Sequence, residues 1–142
     1  AKKEGFAEIL YLDVSHEHFE EVGAANFFLR QGDELATPSL EDKSILPGFT
    51  RASVLQLAAD EGLKAVERDV MLPEIYDADE CFCTGTAAVI TPIGAVNVDG
   101  KDVTIGDGRV GKYSQLFYDK LNAIMVKEAE DKYGWVTTIG KK

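Results

Sequence analysis

The segment ILPGFTRAS sets Pro47 and Gly48, which permit a sharp turn, directly ahead of an apolar-periodic run. The turn delivers Phe49 and Thr50 to a helix start, where unbonded backbone N–H groups and the positive dipole end suit an anion, phosphate above all. A plain N-cap role for Thr50 uses the same residues. In CTGTAAVITP, Gly85 and Thr86 follow a strand and offer close backbone approach, a hydroxyl and the N–H groups of Ala87 and Ala88. These make a second anion cradle, or a packing turn of small residues. In EEVGAANFF, Glu21 stands just ahead of a buried strand that contains Asn26. A lone acid at a strand mouth reads first as a solvated one.

Other chemistry-bearing patterns are weaker. Cys81 and Cys83 form C-x-C, and no other cysteine exists to complete a disulfide framework or a four-ligand zinc site. On a strand both thiols face one side, as buried small hydrophobes do. His16 and His18 share that spacing without a third ligand to match, which reads as a solvated segment. GDGRVG at 106–111 fits G-x-G-x-x-G, but the strand before it is the return arm of a hairpin at Asp99–Gly100. No βαβ unit with a ribose-binding acid follows, so the glycines read as an ordinary loop.

The elements that must position these residues belong to a chain of single-domain length. A domain of 142 residues buries roughly 70% of its unfolded surface. Hydrophobic residues make up 45% and charged residues 28%, without low-complexity tracts, so the chain reads as globular. A formal charge of −10 repels phosphate backbones and disfavours nucleic acid as a partner. No apolar run approaches a membrane span, and AKKEGFAEIL lacks the pattern of a secretory signal; a cytoplasmic location is expected.

Residues 7–13 and 24–30 read as buried strands joined by a polar connection, with QGDE a turn and LATP a hairpin return. Val54, Leu55, Leu57, Ala58 and Leu63 recur near helical spacing, and Gly62 supplies a stop. KAVERDV alternates like a half-exposed strand, and LPEIYDADE gives a short helix with Pro73 in its first turn. From Cys81 to Ile105 the chain is strand-rich, a final helix spans about 111–130, and YGWVTTI closes the chain. Strands alternating with helices, plus hairpins, give a mixed α/β domain without internal repeats.

Taken together, YLD, EVGAANFF, GDELATP, ILPGFTRASVLQLA, GTAAVITPIG, VGKYSQLFYDKL and EDKYGW resemble, in order, the fold-type IV pyridoxal-phosphate enzymes, and among them the branched-chain amino-acid aminotransferases. The resemblance covers nearly the whole chain. It implies the large C-terminal domain of such an enzyme, a pseudo-barrel of the D-amino-acid aminotransferase-like fold without the small N-terminal domain, as one domain over residues 1–142. The implied reaction moves an amino group between Leu, Ile or Val and 2-oxoglutarate in a homodimer.

By the same resemblance Glu21 pairs with the protonated pyridine nitrogen of the cofactor. The backbone N–H groups of Phe49 and Thr50, with the Thr50 hydroxyl, hold the phosphate, although the family more often has Ile or Val where Phe49 stands. Thr86 is a further phosphate ligand, Leu46 packs on the cofactor ring, and Gly85, Ala87 and Ala88 form the turn whose N–H groups receive the substrate carboxylate. Mammalian members carry a C-x-x-C redox pair at the positions of Ala88 and Thr91; neither is Cys here, which favours a bacterial-type enzyme. The family's Schiff-base lysine lies upstream of GFAEILYLD, so it is expected outside this chain, and Lys2 and Lys3 match only the tail of the helix after it. The 142 residues alone are therefore expected to be inactive. The alternatives are a D-amino-acid transaminase or aminodeoxychorismate lyase of the same fold, or a non-catalytic scaffold domain.

Overall fold

The structure, a computed structural model, describes residues 7–41, 45–85, 89–125 and 132–134. Strands β1 (Leu10–Leu12), β2 (Phe19–Val22), β3 (Ala25–Gln31) and β4 (Glu34–Thr37) form an antiparallel meander. Helix α1 (Phe49–Asp60) then crosses over to β5 (Lys64–Glu67), which lies parallel to β4. A 3-10 turn at Leu72–Tyr76 leads into β6 (Glu80–Gly85) and β7 (Val89–Ile93), which join the same sheet. The separate hairpin β8 (Ala95–Val98) and β9 (Lys101–Thr104) precedes helix α2 (Lys112–Met125).

β3 is the axis of the sheet. β6 pairs along one of its edges from Asn26 to Arg30, while β2 and β4 share the other edge end to end. β2 takes Ala25 and Asn26, and β4 takes Leu29 to Gln31. In the gap between them the buried Thr37 hydroxyl donates to the Phe27 carbonyl at 2.7 Å, so an acceptor that neither strand reaches is satisfied.

Alternation along β3 divides the core. Phe27 and Leu29 face Phe19, Val22, Cys81 and Cys83, and the β8–β9 hairpin covers this side through Val96, Val98 and Val103. Phe28 faces the helices with Leu35, Phe82 and Ile90, meeting Val54, Leu57 and Ala58 of α1 and Phe117 and Leu121 of α2. Phe28 and Phe82 stack with ring centroids 5.0 Å apart, and Phe117 meets Phe82 edge-on.

Most sequence expectations match the elements. Asp99 (φ 50°) and Gly100 (φ 83°) both adopt the left-handed conformation, the signature of a two-residue hairpin turn. The glycines of GDGRVG lie in the loop after that hairpin, as read, and Gly62 (φ 84°) ends α1. Two differ: the buried strand expected over 7–13 is only the short, partly exposed β1, and the polar connection before β3 contains β2, whose FEEV sequence carries two acids. α2 is described to Met125; the remainder of its expected span and most of YGWVTTI, from 135 on, lie outside the described residues.

Candidate functional site

Glu21 stands ahead of β3, the buried strand that contains Asn26, but it lies in a strand of its own, β2, opposite Asn26. Phe19 and Val22, three residues apart, both enter the core behind the sheet, and the β1–β2 register slips between Leu12↔Phe19 and Leu10↔Val22. The extra residue of this bulge reverses the alternation. It puts half-buried Glu21 on the helix side of the sheet, level with Asn26. Its side chain makes no hydrogen bond or ion pair among the described residues.

β6 continues the row. Thr84 pairs with Asn26 on the opposite edge of β3, so Glu21, Asn26 and Thr84 lie side by side across three strands. At ~4.8 Å per strand, Glu21 and Thr84 stand ~10 Å apart. The next pairs along the same face are the Phe28–Phe82 stack and the Arg30–Glu80 ion pair (2.7 Å), which fix β3 against β6. Thr84 is 1% exposed, and its hydroxyl has no hydrogen-bond partner among the described residues. A buried hydroxyl without a partner carries a cost of about 1–3 kcal/mol, so its retention beside this row suits a polar site.

The start of α1 abuts the row. Asn26 Nδ2 donates to the Leu46 carbonyl at 2.8 Å, and the Gly48 N–H donates to the same carbonyl at 2.9 Å. Gly48 is the N-cap, in extended conformation, without a side-chain cap, and the first turn carries no acid. Helix starts of that kind accept anions. Leu46 (66% exposed) and Phe49 (65%) stand open to solvent around it, with Thr50 half-buried beside them. Arg51, 3% exposed, ties the first turn down through Pro38 O at 3.0 Å and the Glu67 carboxylate at 2.6 Å.

The structure therefore brings Glu21, Leu46, Phe49 and Thr50 to one end of the helix side, with Gly85 closing β6 beside them. Thr86, Ala87 and Ala88 lie outside the described residues. Asn26 and Thr84 gained no role from the sequence; the available signal was a polar residue inside an otherwise apolar strand. Cys81 and Cys83 are buried in the core behind the sheet, where burial pushes both thiols up, Cys81 further under the charge of Glu80. His18 packs 3.4 Å from the Asp13 carboxylate in the loop ahead of β2. A cavity of about 1000 Å³ opens behind the sheet against Leu12, Phe19, Val22, Cys83 and Ile93. Of the expected site residues that are described, only Gly85 lines it.

Residues 1–96 match the family model described as Amino-transferase class IV. The chain belongs to that family. Among class IV relatives, the chloroplastic branched-chain-amino-acid aminotransferase 3 of Arabidopsis thaliana is 37% identical over 140 residues, 98% of this chain and 34% of that protein. The solved branched-chain amino acid aminotransferase from Escherichia coli superposes with a TM-score of 0.86 at 33% identity, over 99% of this chain and 46% of that one. A further solved branched-chain amino acid aminotransferase, complexed with N-(5'-phosphopyridoxyl)-L-glutamate, gives a TM-score of 0.85 at 27% identity over 99% and 45%. The chain thus has the mixed α/β fold of these aminotransferases and spans between a third and a half of their length.

Proposed function

We propose that this chain is the large, cofactor-holding domain of a branched-chain amino-acid aminotransferase, working with pyridoxal 5'-phosphate on Leu, Ile or Val and 2-oxoglutarate. The observation that carries the reading is the Glu21–Asn26–Thr84 row set against the uncapped start of α1. One part offers a carboxylate without a partner among the described residues, the other an anion-accepting helix end. That donor set fits a ligand with a phosphate and a protonatable ring nitrogen.

When bound, pyridoxal phosphate supplies an electron-withdrawing ring that stabilises negative charge at the substrate α-carbon. Glu21 keeps a proton on the ring nitrogen, because a carboxylate beside a protonated base favours its charged form. The α1 start and the Thr50 hydroxyl hold the phosphate, and Leu46 presents an apolar contact to the ring. Gly85 and residues 86–88 take their roles, phosphate at Thr86 and substrate carboxylate at Ala87 and Ala88, from the family resemblance.

By the family resemblance, the amine that links to the cofactor lies upstream of these residues. Among the described residues, no lysine lies on β2, β3, β6 or α1. Lys64 pairs across from Glu34, at the far end of β3 from Asn26. Lys120 and Lys132 pair with Glu61 and Asp60 at the other end of α1. On this reading the 142 residues alone are expected to show no turnover and the intact protein to be a cytoplasmic homodimer, which sedimentation and cell fractionation check.

The test is amino transfer from Leu to 2-oxoglutarate by the full-length protein. Glu21→Gln lowers kcat far more than it raises KM, since the acid acts on the cofactor and not on substrate binding. An unchanged kcat removes Glu21 from the site. Turnover of D-alanine or of aminodeoxychorismate in place of Leu would transfer the reading to another enzyme of the fold.

A further inference from the structure

We infer that Asn26 is a positioning residue, setting the phosphate-binding start of α1 relative to Glu21, and that Gly48 is glycine because Asn26 fills the space of its side chain. The inference rests on the cofactor reading above. Asn26 is 5% exposed and lies directly opposite Glu21 in the sheet. Its carboxamide leaves the strand on the helix side and donates to the Leu46 carbonyl at 2.8 Å. The Gly48 N–H closes the turn on that same oxygen at 2.9 Å, and the Gly48 carbonyl accepts the first helical bond from Ala52 at 3.2 Å. One side chain therefore joins the strand pair carrying Glu21 to the turn from which α1 grows.

Gly48 adds an independent observation. Its backbone, at φ −64° and ψ 142°, is open to any residue, so conformation does not call for glycine. Space does: a Cβ at Gly48 would lie 2.4 Å from Asn26 Oδ1. One polar atom of Asn26 holds the turn while the other occupies the gap that glycine leaves. Any larger residue at 48 displaces either the carboxamide or the helix start, and a shift of ~1 Å in a binding group costs up to about a hundredfold in function.

The experiment measures pyridoxal phosphate retention on dialysis of the full-length protein for wild type, Asn26→Asp, Asn26→Ala, Gly48→Ala and the Asn26→Ala/Gly48→Ala double variant. The melting temperature of each cofactor-free protein is recorded alongside, with Phe28→Leu as a control for general destabilisation. Asn26→Asp keeps the shape but cannot donate to Leu46 O, and retention falls about tenfold, near the worth of one hydrogen bond. Gly48→Ala falls at least as far. In the Asn26→Ala background it costs little more, because the clashing atom is gone. Independent, multiplying effects of the two sites overturn the inference, as does a Phe28→Leu protein of equal melting temperature that loses as much cofactor. If wild type itself holds no pyridoxal phosphate, the functional reading falls and takes this with it; if wild type holds it and Asn26→Asp holds it equally, only the positioning role falls.

Discussion

Replacing Glu80 by Gln changes one atom of a buried acid, and the structure says which bonds that breaks. Glu80 is 4% exposed at the start of β6. Its Oε2 accepts from Arg30 Nε at 2.7 Å, and its Oε1 accepts from the Ser114 N–H at 2.9 Å, the Tyr113 N–H at 3.0 Å and the Ser114 hydroxyl at 3.1 Å. The carboxylate thus caps α2 from the sheet while pairing with β3. Both of its oxygens face donors, so either orientation of a glutamine amide sets an NH2 group against an N–H. One charge-assisted hydrogen bond, about 1.5–3 kcal/mol, is lost, and an unsatisfied buried donor adds about 1–3 kcal/mol. The expected loss is about 3 kcal/mol, read as a fall in urea midpoint of about 1.5 M at an m-value of roughly 2 kcal/mol/M. Gly111 belongs to the same unit, since a Cβ there would lie 1.9 Å from Glu80 Oε1. Gly111→Ala should therefore destabilise strongly on its own and less than additively with Glu80→Ala. A Glu80→Gln midpoint within about 0.3 M of wild type, roughly half a kcal/mol, refutes the reasoning.

Cys81 and Cys83 should resist iodoacetamide at pH 8 in the folded protein and react once urea unfolds it, because only the thiolate attacks and burial holds both thiols protonated; fast labelling of either while folded contradicts their place in the core. The Ser15 hydroxyl, with the N–H groups of His18, Ser15 and Glu17, holds the Asp13 carboxyl well below the usual carboxylate range. A depressed folded-state value means that the stabilisation is present above the unfolded value of ~4 and is lost as pH falls through the folded one. Asp13→Asn should lower stability at pH 7 and flatten its decline in acid; an unchanged acid limb contradicts the turn geometry. Phe82→Ala, removing a ring buried between Phe28 and Phe117, should cost about 3–5 kcal/mol, checked by the same urea titration.

The candidate site is legible in the sequence where local chemistry specifies it. Pro47–Gly48 ahead of Phe49–Thr50 announces the helix start, and Asp99–Gly100 announces its hairpin, because turn residues act on their own backbone. EEVGAANFF singles out Glu21 as a candidate but does not reveal its strand, since FEEV offers no alternation to read and the bulge depends on pairing with β1. The remaining parts depend on contacts across long separations. Asn26 meets Leu46, Glu80 meets the start of α2, and the parallel pairing of β4 with β5 requires the α1 crossover. Nothing local in the chain marks such partners, and the Thr84 hydroxyl acquires its place only when β6 lies beside β3.

The claim that Glu21 faces the ring nitrogen of pyridoxal phosphate held at the start of α1 is tested most directly by nitrogen NMR. Pyridoxal phosphate labelled with ¹⁵N in the ring is bound to the full-length protein and to its Glu21→Gln variant. A protonated ring nitrogen is expected in wild type at pH 8 and an unprotonated one in the variant, with phosphate signals alike in the two. The same protonated shift in both proteins would contradict it and take Glu21 out of the site.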